Sequence, residues 1–477
     1  MEPYGIALIG CGTVGSGVAK LLLEHPERLA ARAGRKLDLR RVVVNDLAKP
    51  RDPIIPRHLL TTDLRQVIDD PAIQVAVEVV GGVDWARRAV LDLLAAGKHV
   101  VTANKALLAV HGAEIFDAGR KHGRAVAFEA SVAGGIPIIV ALCQGLAANQ
   151  ILSLQGILNG TCNYILTGMT ELGRSYLDVL REAQERGYAE ADPTLDVDGT
   201  DSAHKLAILV QIAYGVSLPV SAIKRRGVAE IDQLDIRFAK ELGYTIKLLA
   251  EAWLEQGSRE SRAESQEPEN QEPDLLALDS PLSTLDSSTA LDSRLSALDF
   301  LAMHVSPVML RETTPLALVR DAFNAIFVVG DAVGSSLYYG RGAGQMPTAS
   351  SVVADIIDMA VGRAQQTFRS LQLWSGNHRN IVLRDPDTVR SRFYLRMMVE
   401  DRPGVMADIT RILADHQISI SSVIQHEALE HADGETEIVP LIIMTHTVPF
   451  GHFQAALHAI DRLASVRPAS VYYPVGD

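Results

Sequence analysis

The stretch YGIALIGCGTVG, residues 4–15, places an apolar run, a glycine-rich turn and the start of a helical pattern in direct succession. The run 4–9 predicts a buried strand, and the apolar spacing over 13–23 predicts a helix. Glycines in the turn permit a tight bend and the close approach of a pyrophosphate, while the helix N-terminus supplies unpaired N–H donors. Because strand, loop and helix come in the required order, we expect a dinucleotide site rather than an ordinary tight turn. Its predicted residues are Gly10, Gly12, Thr13, Val14 and Gly15.

The first 130 residues continue this alternation of short β-branched runs and longer helical patterns. Further strands are predicted over 39–45, 74–80 and 98–102, and a further helix over 85–96. Such alternation is typical of an α/β domain with a doubly wound, Rossmann-type parallel sheet. We therefore expect an NAD(P)-binding domain over residues 1–130.

Charged residues near two strand ends bear on the cofactor and the substrate. Asp46 is placed to bind a ribose 2′-hydroxyl, whereas Lys49 and Arg51 are close enough to receive a 2′-phosphate, so NAD and NADP both stay open. A later strand runs through Thr102 toward Lys105, and the carboxyl ends of such strands face the ligand crevice. We expect both residues at the cofactor or the substrate. A solvated lysine at a strand end is the alternative for Lys105.

A second glycine cluster, with Gly340, Gly342 and Gly344, precedes a helical run through Met359. A loop of this kind before a helix can bring backbone amides to the same cofactor. The chain would then return to its first domain at about 335–375. A flexible connection is the alternative that the spacing leaves open.

The densest polar stretch, GYAEADPTLDVDGTD over residues 187–201, leads to Lys205. Its five carboxylates would repel one another unless they bind a cation or an ammonium group. Asp201 and Lys205 are four residues apart at the start of a helix predicted over 202–214, so they can share one face. The plain interpretation is a surface ion pair. The functional one is a lysine that exchanges a proton with a substrate hydroxyl while a nicotinamide takes the hydride.

The composition limits the remaining possibilities. A chain of 477 residues that is 47% hydrophobic is long enough for two to four domains, and its net charge of −13 disfavours nucleic acid or an anionic membrane as partner. Three scattered cysteines and the absence of a long apolar run or basic leader predict a cytoplasmic protein. Residues 256–299 lack aromatic side chains and are rich in Ser, Glu, Gln, Asp and Pro, which predicts a disordered insertion.

Several blocks together resemble the homoserine dehydrogenase family. The segment AQERGYAEADPTLDVDGTDSAHK (183–205) carries that family's signature, and VTANKALLA (101–109), GILNGTCNYIL (156–166) and GAGQMPTASSVVADI (342–356) are similar to other blocks. The resemblance implies NAD(P)-dependent interconversion of L-homoserine and L-aspartate 4-semialdehyde, on the way to threonine and methionine. The insertion 256–299 is the main departure from the family pattern.

The resemblance also implies roles for individual residues. Lys205 would be the proton donor and acceptor, supported by Asp201, with Lys105 a second catalytic lysine. The residues implied to hold the substrate, besides Lys205, are Gly160, Thr161, Tyr188, Glu190 and Asp196. A sodium ion would be held by backbone carbonyls of Glu129, Val132, Gly134 and Ile136. An α+β substrate and dimerisation domain is expected over 131–334, whose sheets would pair to give a homodimer or homotetramer.

The C-terminal segment, 385–477, resembles an ACT domain with a ferredoxin-like fold. The evidence is an apolar run over 393–399, the turn EDRPGV over 400–405, a helix to about residue 416, and strands over 418–425 and 438–445. An amino-acid effector would bind at a turn that includes Asp401, Pro403 and Gly404. The family resemblance implies feedback inhibition by threonine. An ACT domain used only for assembly is the alternative.

Three other functions compete with this interpretation. A different ACT-bearing dehydrogenase, such as one acting on 3-phosphoglycerate, would place its dinucleotide loop in mid-chain. A phosphorylating semialdehyde dehydrogenase needs a nucleophilic cysteine, and none lies near Lys205 in the sequence. A silent amino-acid sensor would retain both folds without catalysis, but Lys105, Asp201 and Lys205 are all intact.

Overall fold

The computed structural model describes residues 2–256, 299–375, 381–426 and 437–476. The N-terminal elements are β1 (Tyr4–Ile9), α1 (Thr13–Glu24), α2 (Pro26–Ala33), β2 (Leu37–Val43), β3 (Leu60–Thr61), α3 (Arg65–Ile68), β4 (Val75–Glu78), α4 (Asp84–Ala95), β5 (His99–Thr102), α5 (Lys105–His122) and β6 (Val126–Ala127). The six strands are parallel, in the order β3-β2-β1-β4-β5-β6. This is the doubly wound Rossmann order, so the predicted fold class is confirmed. The strand order reverses between β1 and β4, whose carboxyl ends open the ligand crevice.

The middle of the chain contributes a second, mixed sheet and its helices. Its elements are α6 (Ile138–Val140), β7 (Ile151–Ile157), α7 (Gly160–Leu172), α8 (Tyr176–Glu185), α9 (Thr194–Val197), α10 (Thr200–Tyr214), β8 (Lys224–Arg225), α11 (Gln233–Glu241), β9 (Tyr244–Gln256), β10 (Asp299–Arg311), β11 (Phe323–Gly330), β12 (Gly334–Arg341), α12 (Gln345–Val361), α13 (Arg363–Leu371) and β13 (Ile381–Leu383). Leu154, Ile246 and Ile326 lie on the face of the sheet that is buried against α7, α10 and α11. That burial fixes α10, which begins at the end of the polar stretch 187–201.

The strands β9 and β10 pair antiparallel along their whole length, with Tyr244 opposite Arg311 and Gln256 opposite Asp299. The predicted insertion was therefore placed one residue too wide at each end, because Gln256 and Asp299 belong to strands. The rest of the predicted insertion, 257–298, lies outside the described residues.

The helix α12 returns to the N-terminal domain and packs against α1. Ala349, Val352 and Ile356 are buried in the same core as Val18. Close contact is possible because position 17 is glycine: a Cβ there would lie 3.0 Å from the Cβ of Ala349. The start of α12 is thus held beside the start of α1.

The C-terminal elements form a βαββαβ unit, the arrangement of a ferredoxin-like fold. They are β14 (Arg390–Glu400), α14 (Val405–Asp415), β15 (Ile420–Gln425), β16 (Ile438–Thr445), β17 (Val448–Pro449), α15 (Phe450–Ile460) and β18 (Val466–Gly476). Leu395, Ile409, Ile443 and Phe453 belong to its core. The strand order β18-β14-β16-β15 confirms the predicted fold of this segment.

The C-terminal sheet is continuous with the middle sheet. The full order is β12-β11-β7-β9-β10-β18-β14-β16-β15, and β18 joins parallel to β10, with Val475 opposite Met309. The same edge of β10 also pairs with β13 near Asp299 and with β8 near His304. Three short segments therefore share one edge of β10.

The remaining regular segments are short. The 3₁₀ turns are Arg57–Leu59, Glu129–Ser131, Val220–Ala222 and Pro386–Thr388, and a π-helical turn covers Ala141–Gly145. No helix in the described parts of the chain combines the length and the apolar character needed to cross a membrane.

Candidate active site

One buried carboxylate lies between two lysines. On α10, Asp201 and Lys205 share a face as their spacing predicted, and Lys205 Nζ lies 2.7 Å from Asp201 Oδ2. The other oxygen, Asp201 Oδ1, lies 2.5 Å from Nζ of Lys105 at the first turn of α5. Asp201 and Lys205 are buried, whereas the Lys105 side chain keeps 39% of its surface exposed. The structure thus brings together the three residues expected to be catalytic.

The two lysines differ in proton affinity. Burial lowers the pKa of Lys205, against the opposing effect of the Asp201 carboxylate. Burial acts the same way on Lys105, but the combined attraction of Asp201, Asp196 and Glu190 outweighs it, so the pKa of Lys105 is raised. Burial alone would raise the pKa of Asp201, yet the two ammonium groups hold it well below its usual range. Asp201 therefore stays ionised, Lys105 stays charged, and Lys205 is the member of the group that can lose its proton most easily.

Lys205 donates a second hydrogen bond, 2.6 Å long, to the carbonyl of Leu158 at the end of β7. An ammonium group has three N–H donors in a tetrahedral arrangement. Two of them are directed to Leu158 O and Asp201 Oδ2 among the described residues. The direction of the third N–H group of Lys205 is thereby fixed.

Asn159, the N-cap of α7, links the polar stretch to this group. Its Oδ1 accepts from the backbone N–H of Cys162, and its Nδ2 donates to Asp196 Oδ1 at 2.8 Å and to Asp201 Oδ2 at 3.0 Å. Burial raises the pKa of Asp196. Sequence reasoning missed Asn159, although an Asn directly before a helical pattern is a typical capping signal.

Of the other expected substrate residues, Thr161 contacts both Asp196 and Tyr188. Thr161 Oγ1 donates to the carbonyl of Tyr188 at 2.6 Å, and Gly160 precedes it at the first position of α7. Glu190 is exposed and is one of the charges that raise the pKa of Lys105. Hydrogen bonds therefore connect Thr161 with Tyr188 and Asp196, and through Asn159 they reach Asp201.

The cysteines offer no alternative nucleophile. All three are free and buried. Burial raises the pKa of the Cys143 thiol to about 12 and that of Cys162 well above its usual value. Cys162 Sγ is directed to the carbonyl of Asp196 at 3.2 Å rather than to a crevice. A thiolate mechanism is therefore disfavoured.

The glycine turn after β1 divides into packed and open positions. Gly10 has a φ of +100°, which favours glycine, and a Cβ on Gly15 would lie 2.2 Å from the carbonyl oxygen of Gly10. A Cβ on Gly12 would have no atom within 4 Å. Gly10 and Gly15 are thus required by the turn itself, and Gly12, the N-cap of α1, leaves the space that a pyrophosphate needs.

Arg51 bridges this turn to the end of β2. Its guanidinium donates to the carbonyls of Cys11 and Asp46, each at 3.1 Å. Asp46 and Lys49 are exposed beside it, and Asp46 Oδ1 accepts from the N–H of Ala48. A carboxylate and two cations therefore follow the end of β2, and their positions leave NAD and NADP both open.

Thr102 has a partner that the sequence analysis did not single out. Its hydroxyl donates to Oε2 of Glu78 at 2.7 Å, and Glu78 Oε1 accepts from the N–H groups of Val80 and Gly81. Burial raises the pKa of Glu78. The two side chains tie the ends of β4 and β5 together at the crevice. The only sequence signal was a glutamate inside an apolar strand.

The later glycines lie between β12 and α12. Gly340 is in β12, and Gly344 caps α12 with a φ of +120°. A Cβ on Gly342 would lie 2.0 Å from Nδ2 of Asn324, so this position has no room for a side chain. The segment is therefore an ordered turn rather than the flexible connection that the spacing left open.

The loop expected to bind sodium is largely buried. The Glu129 carboxylate accepts from the N–H groups of Ile139 and Val140, at 2.9 and 2.8 Å, so the side chain is already occupied. The ligands that the resemblance implies are backbone carbonyls, which these two bonds do not involve. Ile136 O accepts from the N–H of Ile138 and keeps one lone pair. Within the described ranges, no cluster of three or more His, Cys, Asp or Glu side chains is placed to hold a metal.

The predicted effector turn is exposed. Asp401 Oδ1 accepts from Gln425 Nε2 at 3.2 Å, Pro403 is exposed beside it, and Gly404, with a φ of +96°, precedes α14. A cavity of about 400 Å³ lies elsewhere, at the boundary of the middle and C-terminal sheets, with Glu251 and Tyr472 among its lining residues. The structure does not bring the effector turn near Lys205 through any described contact.

The chain combines a Rossmann-type sheet and an open glycine turn with a buried lysine that is paired with a carboxylate. These features define an NAD(P)-binding oxidoreductase that acts on a CH–OH group. Family models agree: one described as homoserine dehydrogenase matches residues 137–357, one described as homoserine dehydrogenase, NAD binding domain, matches 10–129, and the ACT domain model matches 393–462. The chain belongs to the homoserine dehydrogenase family.

Similar proteins cover the whole chain. A homoserine dehydrogenase of Bacillus subtilis is 35% identical, with 100% of this chain and 99% of the relative covered. One of Pseudomonas aeruginosa is 39% identical, with coverage of 98% and 97%. The crystal structure of a homoserine dehydrogenase from Thiobacillus denitrificans superposes with a TM-score of 0.84 at 38% identity, covering 100% of this chain and 99% of that one.

Proposed function

We propose that this chain interconverts L-homoserine and L-aspartate 4-semialdehyde with a nicotinamide dinucleotide, as a step toward threonine and methionine. The observation that carries the proposal is the Asp201 carboxylate held between Lys205 and Lys105. Family membership supports the choice of substrate. The expected domains are 1–130 with a return at about 335–375, 131–334, and 385–477.

The two lysines take different roles because their pKa values are shifted in opposite directions. When bound, the nicotinamide supplies hydride exchange at the alcohol carbon. In oxidation, neutral Lys205 accepts the proton of the substrate hydroxyl; in reduction, its ammonium form returns a proton to the carbonyl oxygen. Lys105, kept charged by Asp201, stabilises negative charge on the same oxygen.

The acidic residues of the polar stretch hold the other end of the substrate. Glu190 and Asp196 attract the α-ammonium group, while Gly160, Thr161 and Tyr188 shape the wall around it. Neutral or apolar alcohols lack this ammonium group and would bind poorly, which makes the enzyme selective for an amino-acid alcohol.

The test is Lys205→Ala, for which we expect turnover to fall by about 10²–10⁴-fold or more while nucleotide binding stays largely intact. Lys240→Ala is a matched control, since Lys240 is exposed on α11. A spectrophotometric assay of homoserine oxidation compares the turnover of both variants with that of wild type. Near-normal oxidation by Lys205→Ala would remove Lys205 from the assigned role.

Coenzyme preference is approached with one initial-rate assay. Rates with NAD and with NADP are compared in wild type and in Arg51→Ala. If the 2′-phosphate is recognised, the KM for NADP rises in the variant and the KM for NAD does not. A rise for both coenzymes would instead indicate that Arg51 only supports the glycine turn through Cys11 O.

Feedback inhibition by threonine at Asp401, Pro403 and Gly404 is the regulatory part of the proposal. Deleting residues 385–477 should remove threonine sensitivity, but it also removes β18 from the edge of β10. The point variant Asp401→Ala is therefore the cleaner test: inhibition by threonine should weaken while the uninhibited rate is kept. Unchanged inhibition would place the effector elsewhere, and no inhibition in wild type would favour a domain used only for assembly.

Sodium and assembly complete the proposal. We expect a sodium ion to be held by the carbonyls of Glu129, Val132, Gly134 and Ile136. The thermal midpoint of unfolding should then be higher in sodium chloride than in choline chloride at equal ionic strength. Equal midpoints would contradict it. A homodimer or homotetramer formed through the middle sheet is expected, and sedimentation of the full chain measures it directly.

A further inference from the structure

Asn324 is the second residue of β11 and is only 1% exposed. β11 pairs antiparallel with β7 up to Ala325 opposite Ile157. One residue further on, the Asn324 side chain donates from Nδ2 to the carbonyl of Leu158 at 2.9 Å. The Asn324 side chain thus continues the hydrogen bonding between β11 and β7 beyond the last backbone pair, at the point where β7 leads into α7.

The carbonyl that Asn324 holds is the one that accepts from Lys205. Leu158 O receives Nδ2 of Asn324 at 2.9 Å and Nζ of Lys205 at 2.6 Å. Since Leu158 O and Asp201 Oδ2 together orient the Lys205 amine, the position of Leu158 O sets the direction of its remaining bonding site. Without this amide, the Leu158 carbonyl would keep its bond to Lys205 but would lose its link to β11.

Gly342 makes room for the Asn324 amide, and Gly160 lies on its other side. A Cβ on Gly342 would lie 2.0 Å from Asn324 Nδ2. A Cβ on Gly160 would lie 2.8 Å from the carbonyl of Ala322 and 3.4 Å from Asn324 Oδ1. The approach of Asn324 therefore explains glycine at position 342, whereas glycine at position 160 is required by the Ala322 carbonyl.

The orientation of the amide follows from its partners. Reversing it would bring Oδ1 against Leu158 O, two acceptors without a proton between them. In the observed orientation, Asn324 Oδ1 is buried and has no hydrogen-bond partner among the described residues. An unpaired buried acceptor opposes folding, so the Nδ2 bond gives little net stability and an apolar side chain of the same shape should be tolerated.

We propose that Asn324 is a positioning residue for Lys205: its amide holds the Leu158 carbonyl, which in turn aims the Lys205 amine at the substrate oxygen. The inference rests on the proposed role of Lys205. It assigns Asn324 no contact with the reacting atoms.

The test uses the nearly isosteric Asn324→Leu, with Asn324→Ala as a second variant if packing fails. We expect kcat to fall by about 10–10²-fold, because misdirecting a catalytic group by about 1 Å has effects of this size. The KM for homoserine, nucleotide affinity and the thermal midpoint should stay close to wild type. Asn149→Leu is the control, since Asn149 lies at the far end of β7 and β11, where its Oδ1 accepts from Val333 N at 2.8 Å.

A double variant separates positioning from general damage. In single-turnover assays with enzyme in excess, Asn324→Leu should cost nothing further in a Lys205→Ala background. Losses that multiply would show that Asn324 does not act through Lys205 and would overturn the proposal. So would a kcat within twofold of wild type for both Asn324 variants while Lys205→Ala is inactive. An active Lys205→Ala would overturn the catalytic assignment and this inference together.

Discussion

Each carboxylate oxygen of Asp201 contacts a different lysine, and the surroundings of the two contacts decide which lysine loses its proton more easily. The oxygen facing Lys105 is at 2.5 Å and the one facing Lys205 is at 2.7 Å. Lys105 is partly exposed, so attraction outweighs burial, whereas the deeper position of Lys205 reverses that balance. Spacing in the sequence indicated only the pair on α10, because the approach of α5 is a tertiary contact between distant segments.

Asp201→Asn should therefore change the pH dependence of homoserine oxidation. The carboxylate raises the pKa of Lys205, so its removal lowers that pKa further. Neutral Lys205 is the active form in oxidation, and the rising limb of kcat/KM should move to lower pH while kcat falls. A pH–rate profile over about pH 6 to 10 measures both. A limb that stays in place or moves to higher pH would contradict the assignment.

Lys247 predicts a second pH effect, on stability. It is 4% exposed, donates to Val319 O at 2.6 Å and to Asn163 Oδ1 at 3.1 Å, and burial lowers its pKa to about 8. Between that value and the ordinary lysine pKa of about 10.4, the unfolded chain binds more protons, so stability rises with pH. Below about pH 8 the buried charge costs about 3 kcal/mol.

We expect wild type to gain stability relative to Lys247→Met as the pH rises from about 8 to 10. Urea denaturation at matched pH values measures the difference. Lys240→Met, on the exposed face of α11, should show no such trend. A constant difference between wild type and Lys247→Met across this interval would refute the shifted pKa.

At the scale of elements, short-range sequence patterns predicted several of the helices and strands. β1 and α1 begin where the glycine motif placed them, and α10 ends before Gly215, which has the left-handed conformation expected of a helix stop. The helices α2, α5, α7, α8 and α11 were not predicted individually, and the two-residue strands β3, β6, β8 and β17 were too short to show a periodicity. Asn324 gave no signal, because its partner Leu158 lies 166 residues away in the chain. The signal for Glu78 was only a glutamate in an apolar strand, and its partner Thr102 lies 24 residues away.

The glycine turn offers a paired test of its two kinds of position. In Gly15→Ala, the new Cβ would meet the Gly10 carbonyl oxygen at 2.2 Å, so the turn must open and both stability and nucleotide binding should fall. In Gly12→Ala, φ is −84° and the Cβ meets nothing, so the thermal midpoint should be kept while nucleotide affinity falls. Thermal melts and nucleotide titrations check each variant. Undiminished affinity in Gly12→Ala would mean that the pyrophosphate does not approach there.

At the scale of the whole molecule, a buried ion pair joins the C-terminal domain to the middle of the chain. Asp235 on α11 is fully buried and accepts from Arg396 Nε and Nη2, at 2.6 and 2.9 Å, and from the hydroxyl of Tyr394 at 3.0 Å. Both partners belong to β14. The middle and C-terminal domains should therefore unfold as one unit rather than separately.

Arg396→Met leaves Asp235 buried without its partner, and we expect a loss of about 3–5 kcal/mol in unfolding free energy. The double variant Asp235→Leu/Arg396→Met should recover a large part of that loss, since no unpaired charge remains. Denaturation monitored by intrinsic fluorescence compares the two. If the double variant is less stable than Arg396→Met, the Asp235–Arg396 pair must add to the free energy of unfolding by more than the neutralisation of each other's charge.

The shared edge of β10 has a consequence for biosynthesis on the ribosome. β18 follows every other described element in chain order, yet it pairs with β10 near Met309. While the nascent chain is being extended, that part of β10 presents unpaired backbone groups to neighbouring polypeptides, and open strand edges promote aggregation. We expect the enzyme to need chaperones until β18 has been synthesised. Slowing translation after β16 should therefore lower the yield of native protein.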